Sequence, residues 1–76
     1  MEKLLEILNT LNANIDYMTE TRLIDDGYLD SLLILALVGE LENSFEIEIT
    51  PVDLIPANFN SAEAIWNLIQ RLQEEN

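Results

Sequence analysis

Hydrophobic residues recur at helical spacing near both ends of the chain. The spacing predicts a first helix from about Glu2 to Leu11 and a last helix that begins after Ser61, which can cap its first turn. Glu63 lies in that first turn, where the helix dipole favours a negative charge. Each helix is expected to bury one apolar stripe and expose the rest of its surface. The stripe of the last helix comprises Ile65, Leu68, Ile69 and Leu72, with Trp66 sealing its edge.

The central apolar run has a different pattern. Its spacing predicts a helix from Leu32 to Ser44 whose apolar residues cover most of the circumference. Such a helix is either fully buried or presents an apolar binding surface. Full burial is difficult in so short a chain, so we expect Leu32 and Leu35, close to Ser31, to be partly exposed. The predicted buried stripe of this helix comprises Leu33, Leu37, Val38, Leu41 and Phe45.

The segments between the helices include an unusually long one. Residues 12–30 show weak periodicity, and loops of this length are uncommon in compact domains and often functional. Within it, Asp25-Asp26-Gly27 predicts a tight turn in which Gly27 can take a positive φ. Further along, Thr50-Pro51-Val52-Asp53 predicts a capped helix start, and Pro56 is expected to end that short helix. The apolar residues expected to hold the long loop against the helices are Ile15, Tyr17, Leu23, Ile24 and Leu29.

These elements together predict an all-α fold. It is a four-helix bundle with a long loop between helices one and two and a short third helix. Residues 46–49 alternate polar and apolar, but no second strand exists to pair with them, so an extended loop is expected there. With 76 residues, the chain is expected to form a single domain over residues 1–76.

Composition and charge exclude several kinds of function. The chain has 15 acidic and 3 basic residues, a net charge of −12, which argues against nucleic-acid binding. It has no histidine and no cysteine, so Ser-His-Asp and Cys-His catalytic sets and the commonest zinc ligands are absent. An EF-hand loop starting at Asp25 would lack its glycine and its bidentate glutamate. No specific metal site is predicted, although loose binding of divalent cations by the acidic surface stays open.

The expected location follows from the lack of targeting signals. The apolar stretch Leu32–Val38 is too short to span a bilayer, and Met1-Glu2-Lys3 has no basic region of a signal peptide. We therefore expect a cytoplasmic protein without membrane insertion. The acidic charge can serve to keep a small hydrophobic domain soluble and monomeric, or to steer it towards basic protein surfaces. Charge alone does not decide between these two roles.

Ser31 is the remaining candidate for chemistry. A serine before an apolar run commonly caps a helix, which is worth about 1 kcal/mol. Asp30 could cap the helix equally well and leave Ser31 free for another task. A phosphodiester on Ser31 would lie at a helix N-terminus, where the dipole favours an anion. Asp25 and Asp26 oppose the binding of free phosphate, so the pattern suits a phosphate that another enzyme attaches covalently.

Three segments of the sequence resemble acyl carrier proteins. Residues 23–32 (LIDDGYLDSL) resemble the phosphopantetheine attachment region of that family. Residues 40–49 (ELENSFEIEI) resemble the end of its second helix and the following loop, and residues 59–65 (FNSAEAI) the approach to its last helix. The resemblance extends from about residue 15 to residue 72. The Gly-Tyr-Leu-Asp-Ser stretch and the region from Asp53 to Ser61 are most similar to free-standing carriers of the D-alanine type, which like peptidyl carriers accept an amino acid from an adenylating enzyme.

The resemblance implies a non-catalytic carrier. A phosphopantetheinyl transferase, using coenzyme A and Mg²⁺, would attach 4′-phosphopantetheine to Ser31. The thiol of that group would receive an acyl or aminoacyl group from an activating ligase and deliver it to a downstream transferase or synthase. The pathway could be fatty-acid, polyketide, nonribosomal-peptide or D-alanylation-type. Asp30, Leu32 and Leu35 match positions that family members present to partner enzymes near the attachment site.

The chain departs from the fatty-acid-synthesis members on helix two. Those members usually carry acids on the exposed face shortly after the serine, where this chain has Leu33 and Ala36, and Gly39 replaces a bulky apolar residue. The docking face should therefore be less acidic and more apolar, which indicates a partner other than the standard fatty-acid enzymes. The alternative is an unmodified acidic helical adaptor that binds a basic protein partner through the same helix. The complete Asp30-Ser31-Leu32 context favours the carrier.

The net charge of −12 generates a prediction about stability. Repulsion among the acidic side chains destabilises the compact state most strongly when little salt is present. We expect the Tm to rise as sodium chloride or Mg²⁺ is added, up to an ionic strength of about 1 M, where the Debye length is about 3 Å. Thermal melts followed by circular dichroism measure this. A Tm that stays constant over that range would contradict the prediction.

Overall fold

The computed structural model describes residues 1–75, and within them the fold is entirely helical. Helices α1 (Glu2–Leu11), α2 (Ser31–Phe45), α3 (Pro56–Phe59) and α4 (Ala62–Glu75) follow one another, and a 3₁₀ turn at Pro51–Asp53 precedes α3. The predicted all-α class, the long loop between α1 and α2 and the short third helix are confirmed. None of the helices found in residues 1–75 has the length and apolar character that crossing a membrane requires.

The core lies where α1, α2 and α4 face one another. Leu4 and Leu8 of α1 and Leu37 and Leu41 of α2 are completely buried. Burial of each such side chain contributes roughly 1.5–3 kcal/mol relative to its exposure, so these contacts hold the three long helices together. The predicted stripe of α4 is confirmed as buried throughout: Ile65, Leu68, Ile69 and Leu72.

The C-terminal end of α2 is held by side chains from α1 and α4. The Lys3 Nζ donates a hydrogen bond to the Ser44 carbonyl oxygen at 2.9 Å and lies 5.6 Å from the centre of the Phe45 ring. A cation at this end of a helix complements the dipole. The Trp66 ring meets the Phe45 ring edge-on, with centroids 6.0 Å apart. Trp66 thus closes the edge of the core, as predicted.

The long loop is held down by its apolar residues, as the pattern predicts. Ile15, Tyr17, Leu23 and Leu29 are buried, and Ile24 is half-buried against them. The buried Tyr17 hydroxyl lies 2.9 Å from the Leu8 carbonyl oxygen, which also accepts from the Asn12 N–H, and 2.7 Å from the Asn12 carbonyl oxygen, so it can donate to the end of α1. Burial raises the pKa of the Tyr17 hydroxyl above its ordinary value of 10.0.

Pro56 begins a helix rather than ending one. The 3₁₀ turn before it is capped as predicted, because the Asp53 carboxylate accepts hydrogen bonds from the Thr50 N–H and hydroxyl, both at 3.1 Å. That turn ends at Asp53, and Pro56 takes the first position of α3. The prediction that Pro56 ends a helix is wrong because a proline suits the first turn of a helix, where its missing N–H has no partner to lose.

Replacement of Tyr17 tests the anchoring of the long loop. We expect Tyr17→Phe to retain the fold and to lower the free energy of unfolding by about 1–2 kcal/mol, since the hydroxyl bond to the end of α1 is lost. The raised pKa means that the folded state favours the neutral phenol. This contribution is therefore complete below pH 10.0 and is lost as the pH rises through the folded-state value.

Urea unfolding at neutral pH and above pH 10.0 measures both effects. The stability difference between wild type and Tyr17→Phe should shrink at the higher pH. Tyr28→Phe is the matched control, because Tyr28 is 43% exposed on the same loop. Equal losses for the two variants at neutral pH would show that the Tyr17 hydroxyl does not anchor the loop.

Candidate functional site

Ser31 is the first residue of α2 and its side chain is exposed. The capping role belongs to its neighbour, since the Asp30 carboxylate accepts a hydrogen bond from the Leu33 N–H at 2.9 Å. Among residues 1–75 no hydrogen bond involves the Ser31 hydroxyl. The hydroxyl is thus accessible and uncommitted. An anion esterified to it would lie beside the unpaired N–H groups of the first helical turn.

A hydrogen bond between its two ends closes the turn at residues 23–29, which leads into Ser31. The Leu29 N–H donates to the Leu23 carbonyl oxygen at 2.9 Å, and both side chains are buried. Between them, the Gly27 N–H donates to the Ile24 carbonyl oxygen at 3.1 Å, and Gly27 has the predicted positive φ of 79°. The segment ends two residues before Ser31. The position of the serine is therefore tied to the buried ends of this turn.

Asn60 fixes the same turn from the junction between α3 and α4. Its carbonyl oxygen accepts from the Leu23 N–H at 2.9 Å, and its Oδ1 accepts from the N–H groups of Ile24 at 3.0 Å and Asp25 at 3.2 Å. Its Nδ2 donates to the Asp25 carboxylate at 3.3 Å. The sequence predicts for Asn60 only a place in the approach to the last helix. The residue type was the only available signal, because its partners lie 35 and 36 residues away in the chain.

The charged groups near the serine are mainly acidic. Asp25, Asp26 and Asp30 are exposed, and the Arg22 Nε is already paired with the Asp26 carboxylate at 3.1 Å. An exposed pair of this kind contributes little to stability. Because Arg22 is engaged with Asp26, the electrostatics disfavour the capture of a free phosphate, as the sequence indicates.

The outward face of α2 beside Ser31 is uncharged. Leu32 is 77% exposed and Leu35 is 66% exposed, which confirms the prediction for both. Ala36 and Gly39 continue this face along the helix and are also exposed. Leu33 is half-buried against the core, as the predicted buried stripe of this helix has it, and does not lie on the exposed face where the family resemblance implied it. It lies one position from Leu32 and therefore about 100° away around the helix, so it points to the inner side.

A small apolar pocket separates the long loop from α2 and α3. Its volume is about 110 Å³, and it opens to the surface. A water molecule in the liquid takes about 30 Å³, so the pocket has room for a group of a few heavy atoms. The residues that line it are Ile24, Ile34, Leu54, Ile55, Pro56 and Phe59.

Among residues 1–75, no side chain is bonded to the Ser31 hydroxyl in a way that would activate it. The chain has no histidine or cysteine, and the neighbouring Asp30 carboxylate is committed to the helix cap. In the described part of the chain, no three side chains converge in a way that could hold a metal ion.

Comparison with known proteins identifies the family. The family model described as a phosphopantetheine attachment site matches residues 2–69. The D-alanyl carrier protein of Lactococcus lactis subsp. lactis (strain IL1403) is 27% identical over 77 residues, which cover 99% of this chain and 98% of that protein. The D-alanyl carrier protein of Lactococcus lactis subsp. cremoris (strain MG1363) matches to the same extent. No solved structure gives a significant match.

The family match spans nearly all of the fold, from the start of α1 into α4. It agrees with a small helical protein that exposes a serine at a helix N-terminus. Proteins of this kind hold 4′-phosphopantetheine covalently and act as carriers. The chain therefore belongs to the family of phosphopantetheine-binding carrier proteins.

Proposed function

We propose that Ser31 is the attachment residue and that the chain carries a small acyl or aminoacyl group as a thioester. The observation that carries this proposal is the exposed hydroxyl at the start of α2, which Asp30 relieves of the capping role. Because Asp30 caps the helix and Ser31 carries the attached group, modification of Ser31 leaves the start of the helix intact. The chain itself performs no catalysis in this proposal.

The residues around Ser31 suit a phosphodiester. When attached, 4′-phosphopantetheine supplies a thiol at the end of a flexible arm. The first turn of α2 offers its N–H groups and the positive end of its dipole to the phosphate oxygens. Asp30 keeps that turn in place through its bond to the Leu33 N–H. The chain has no cysteine, so no thiol of its own competes for the thioester.

Attachment requires a partner enzyme to reach the serine. In the proposed step, the Ser31 Oγ attacks the phosphorus of coenzyme A that bears the pantetheine arm. The bond from that phosphorus to the adenosine-bearing phosphate breaks, 3′,5′-ADP leaves, and the serine proton passes to a base of the phosphopantetheinyl transferase. The exposure of Ser31 at the beginning of a helix allows this approach.

We propose that the cargo is an amino acid of the size of D-alanine. The similar proteins are D-alanyl carrier proteins, and the apolar pocket of about 110 Å³ between the long loop, α2 and α3 has room for a small group. An amino-acid-activating ligase would load the thiol, and a downstream transferase would receive the aminoacyl group. A fatty-acyl, polyketide or nonribosomal-peptide cargo would use the same attachment residue with a different ligase.

The proposed docking surface comprises Asp30, Leu32 and Leu35. Both leucines are large, exposed and within five residues of the attachment residue. Exposed apolar side chains of this size mark contact surfaces, because their burial on a partner stabilises the complex. Asp30 lies at the end of this surface and adds a negative charge that a basic residue of the partner can meet.

Ser31→Ala tests the attachment residue. We expect wild-type protein to gain one phosphopantetheinyl group when incubated with coenzyme A, Mg²⁺ and a broad-specificity phosphopantetheinyl transferase. Ser31→Ala should gain none and retain its helical circular dichroism, since Asp30 still caps α2. Intact mass spectrometry measures the gain. Ser44→Ala is the matched control, because it removes the other serine of α2, thirteen residues after the helix start, and should be modified like wild type.

Two results would contradict the proposal. If the Ser31→Ala protein still gains a phosphopantetheinyl group, the attachment residue lies elsewhere in the chain. An unmodified wild-type protein that is folded would favour the alternative, an unmodified acidic adaptor whose binding to a basic partner weakens with salt. Loading of the modified wild-type protein then tests the cargo. A D-alanine-activating ligase should load it, and a fatty-acyl ligase should not.

Leu35→Glu tests the docking surface. We expect this variant to accept phosphopantetheine and keep its helical content, but to be loaded by the cognate ligase with a KM raised at least about fivefold, equivalent to ~1 kcal/mol. The charge added to an apolar contact is the reason. Met18→Glu is the control, because Met18 is 75% exposed on the long loop rather than on α2. Loading kinetics that are equal for both variants would exclude Leu35 from the docking surface.

A further inference from the structure

We infer that Asn60 positions Ser31 for the enzymes that modify and load it, an inference that rests on the proposed function of Ser31. Asn60 lies at the end of α3, and its backbone and side chain make four hydrogen bonds to the turn at residues 23–25. Such a concentration of polar contacts on one loop residue exceeds what is needed to start α4, because Ser61 already caps that helix through the Ala64 N–H at 3.0 Å. The contacts of Asn60 instead hold the approach to the attachment residue.

The connection from Asn60 to Ser31 is short. The Asn60 carbonyl oxygen accepts a hydrogen bond from the Leu23 N–H at 2.9 Å. The Leu23 carbonyl oxygen accepts one from the Leu29 N–H, also at 2.9 Å. Leu29 is followed directly by Asp30, which caps α2, and then by Ser31. Two backbone hydrogen bonds therefore link the junction of α3 and α4 to the start of α2. Movement of the turn at either bond would shift the serine.

Only an amide side chain satisfies the partners of Asn60. Its oxygen has two lone pairs, which the N–H groups of Ile24 and Asp25 use, and its NH₂ group donates to the Asp25 carboxylate. Alanine would leave the half-buried Ile24 N–H without this acceptor, at the cost of an unsatisfied donor. Aspartate would keep the acceptor but would place a second carboxylate about 3.3 Å from that of Asp25. Both substitutions would loosen the turn.

The effect on function would appear when a partner enzyme binds. An enzyme that reaches Ser31 also meets the exposed residues of this turn, among them Asp26 and Tyr28. If the turn is ordered beforehand, binding does not have to immobilise it; if it is loose, the loss of its conformational freedom opposes binding. Loss of the Asn60 contacts should therefore raise KM more than it lowers kcat.

The experiment measures kcat and KM of a phosphopantetheinyl transferase with coenzyme A for a set of variants. Asn60→Ala should raise KM about tenfold or more with a smaller change in kcat. Asn60→Asp should do the same, and most strongly at low salt, because the two carboxylates repel each other. Combining Asn60→Asp with Asp25→Asn restores one donor and one acceptor between the two side chains, and should return KM to near that of wild type.

Asn58→Ala is the matched control. Asn58 belongs to the same short helix, donates to the Asp53 carbonyl oxygen at 2.9 Å and accepts from Arg71 at 3.3 Å, so it does not hold the turn. Its KM should stay near that of wild type even if its Tm falls. Amide hydrogen exchange gives a second measurement: the Leu23, Ile24 and Asp25 amides should exchange faster in Asn60→Ala and not in Asn58→Ala.

The outcomes separate this inference from the proposed function. If wild type and Asn60→Ala are modified with equal KM, Asn60 is a purely structural residue and the inference is wrong. If KM rises equally for Asn58→Ala and Asn60→Ala, general destabilisation explains the effect and the inference is also wrong. If wild type accepts no phosphopantetheine, the proposed function itself fails. If the paired substitution returns KM to near the wild-type value, the inference is supported, because a loss of stability does not explain that recovery.

Discussion

The docking of the long loop onto the helices is the constraint on which the rest of this structure depends. In a chain of 76 residues, α1, α2 and α4 alone leave part of the core open, and the loop fills it with Ile15, Tyr17, Leu23 and Leu29. Burial of these side chains opposes the entropy lost in ordering nineteen residues without regular structure. Because the loop runs directly into α2, the same contacts that complete the core also place Ser31.

Two adjacent residues divide the structural and chemical roles at the start of α2. Asp30 satisfies a free N–H of the first turn, so the Ser31 hydroxyl has no structural duty among the residues described. A serine that capped its own helix would lose that bond when esterified, and modification would weaken the helix. If Ser31 is the attachment residue, as proposed, its hydroxyl can be replaced by a phosphodiester at little cost to the fold, because Asp30 keeps the cap.

In the proposed function, charge and apolar surface would serve different stages of partner recognition. The net charge of −12 surrounds the molecule with a negative field that guides it towards basic surfaces from a distance. The face of α2 beside Ser31, however, presents Leu32, Leu35, Ala36 and Gly39 without a charge among them. Contact at this face would depend on the burial of apolar area, which salt affects far less than it affects a surface ion pair. Acidic residues would then govern the rate of encounter more than the strength of the final contact.

Much of this protein is determined by local sequence pattern. Helical periodicity predicts the bounds of α1 and the buried stripe of α4, because each amphipathic helix must turn one face to the core. The acidic turn, Gly27 and the Asp30-Ser31 pair identify the candidate site, since turn and capping preferences depend on neighbouring residues alone. Tertiary structure decided what depends on distant neighbours. It let Pro56 begin α3 rather than end a helix. It also brought Asn60 to the turn before Ser31, across 35 residues of chain, because hydrogen bonds form between groups that folding places together and no local pattern records them.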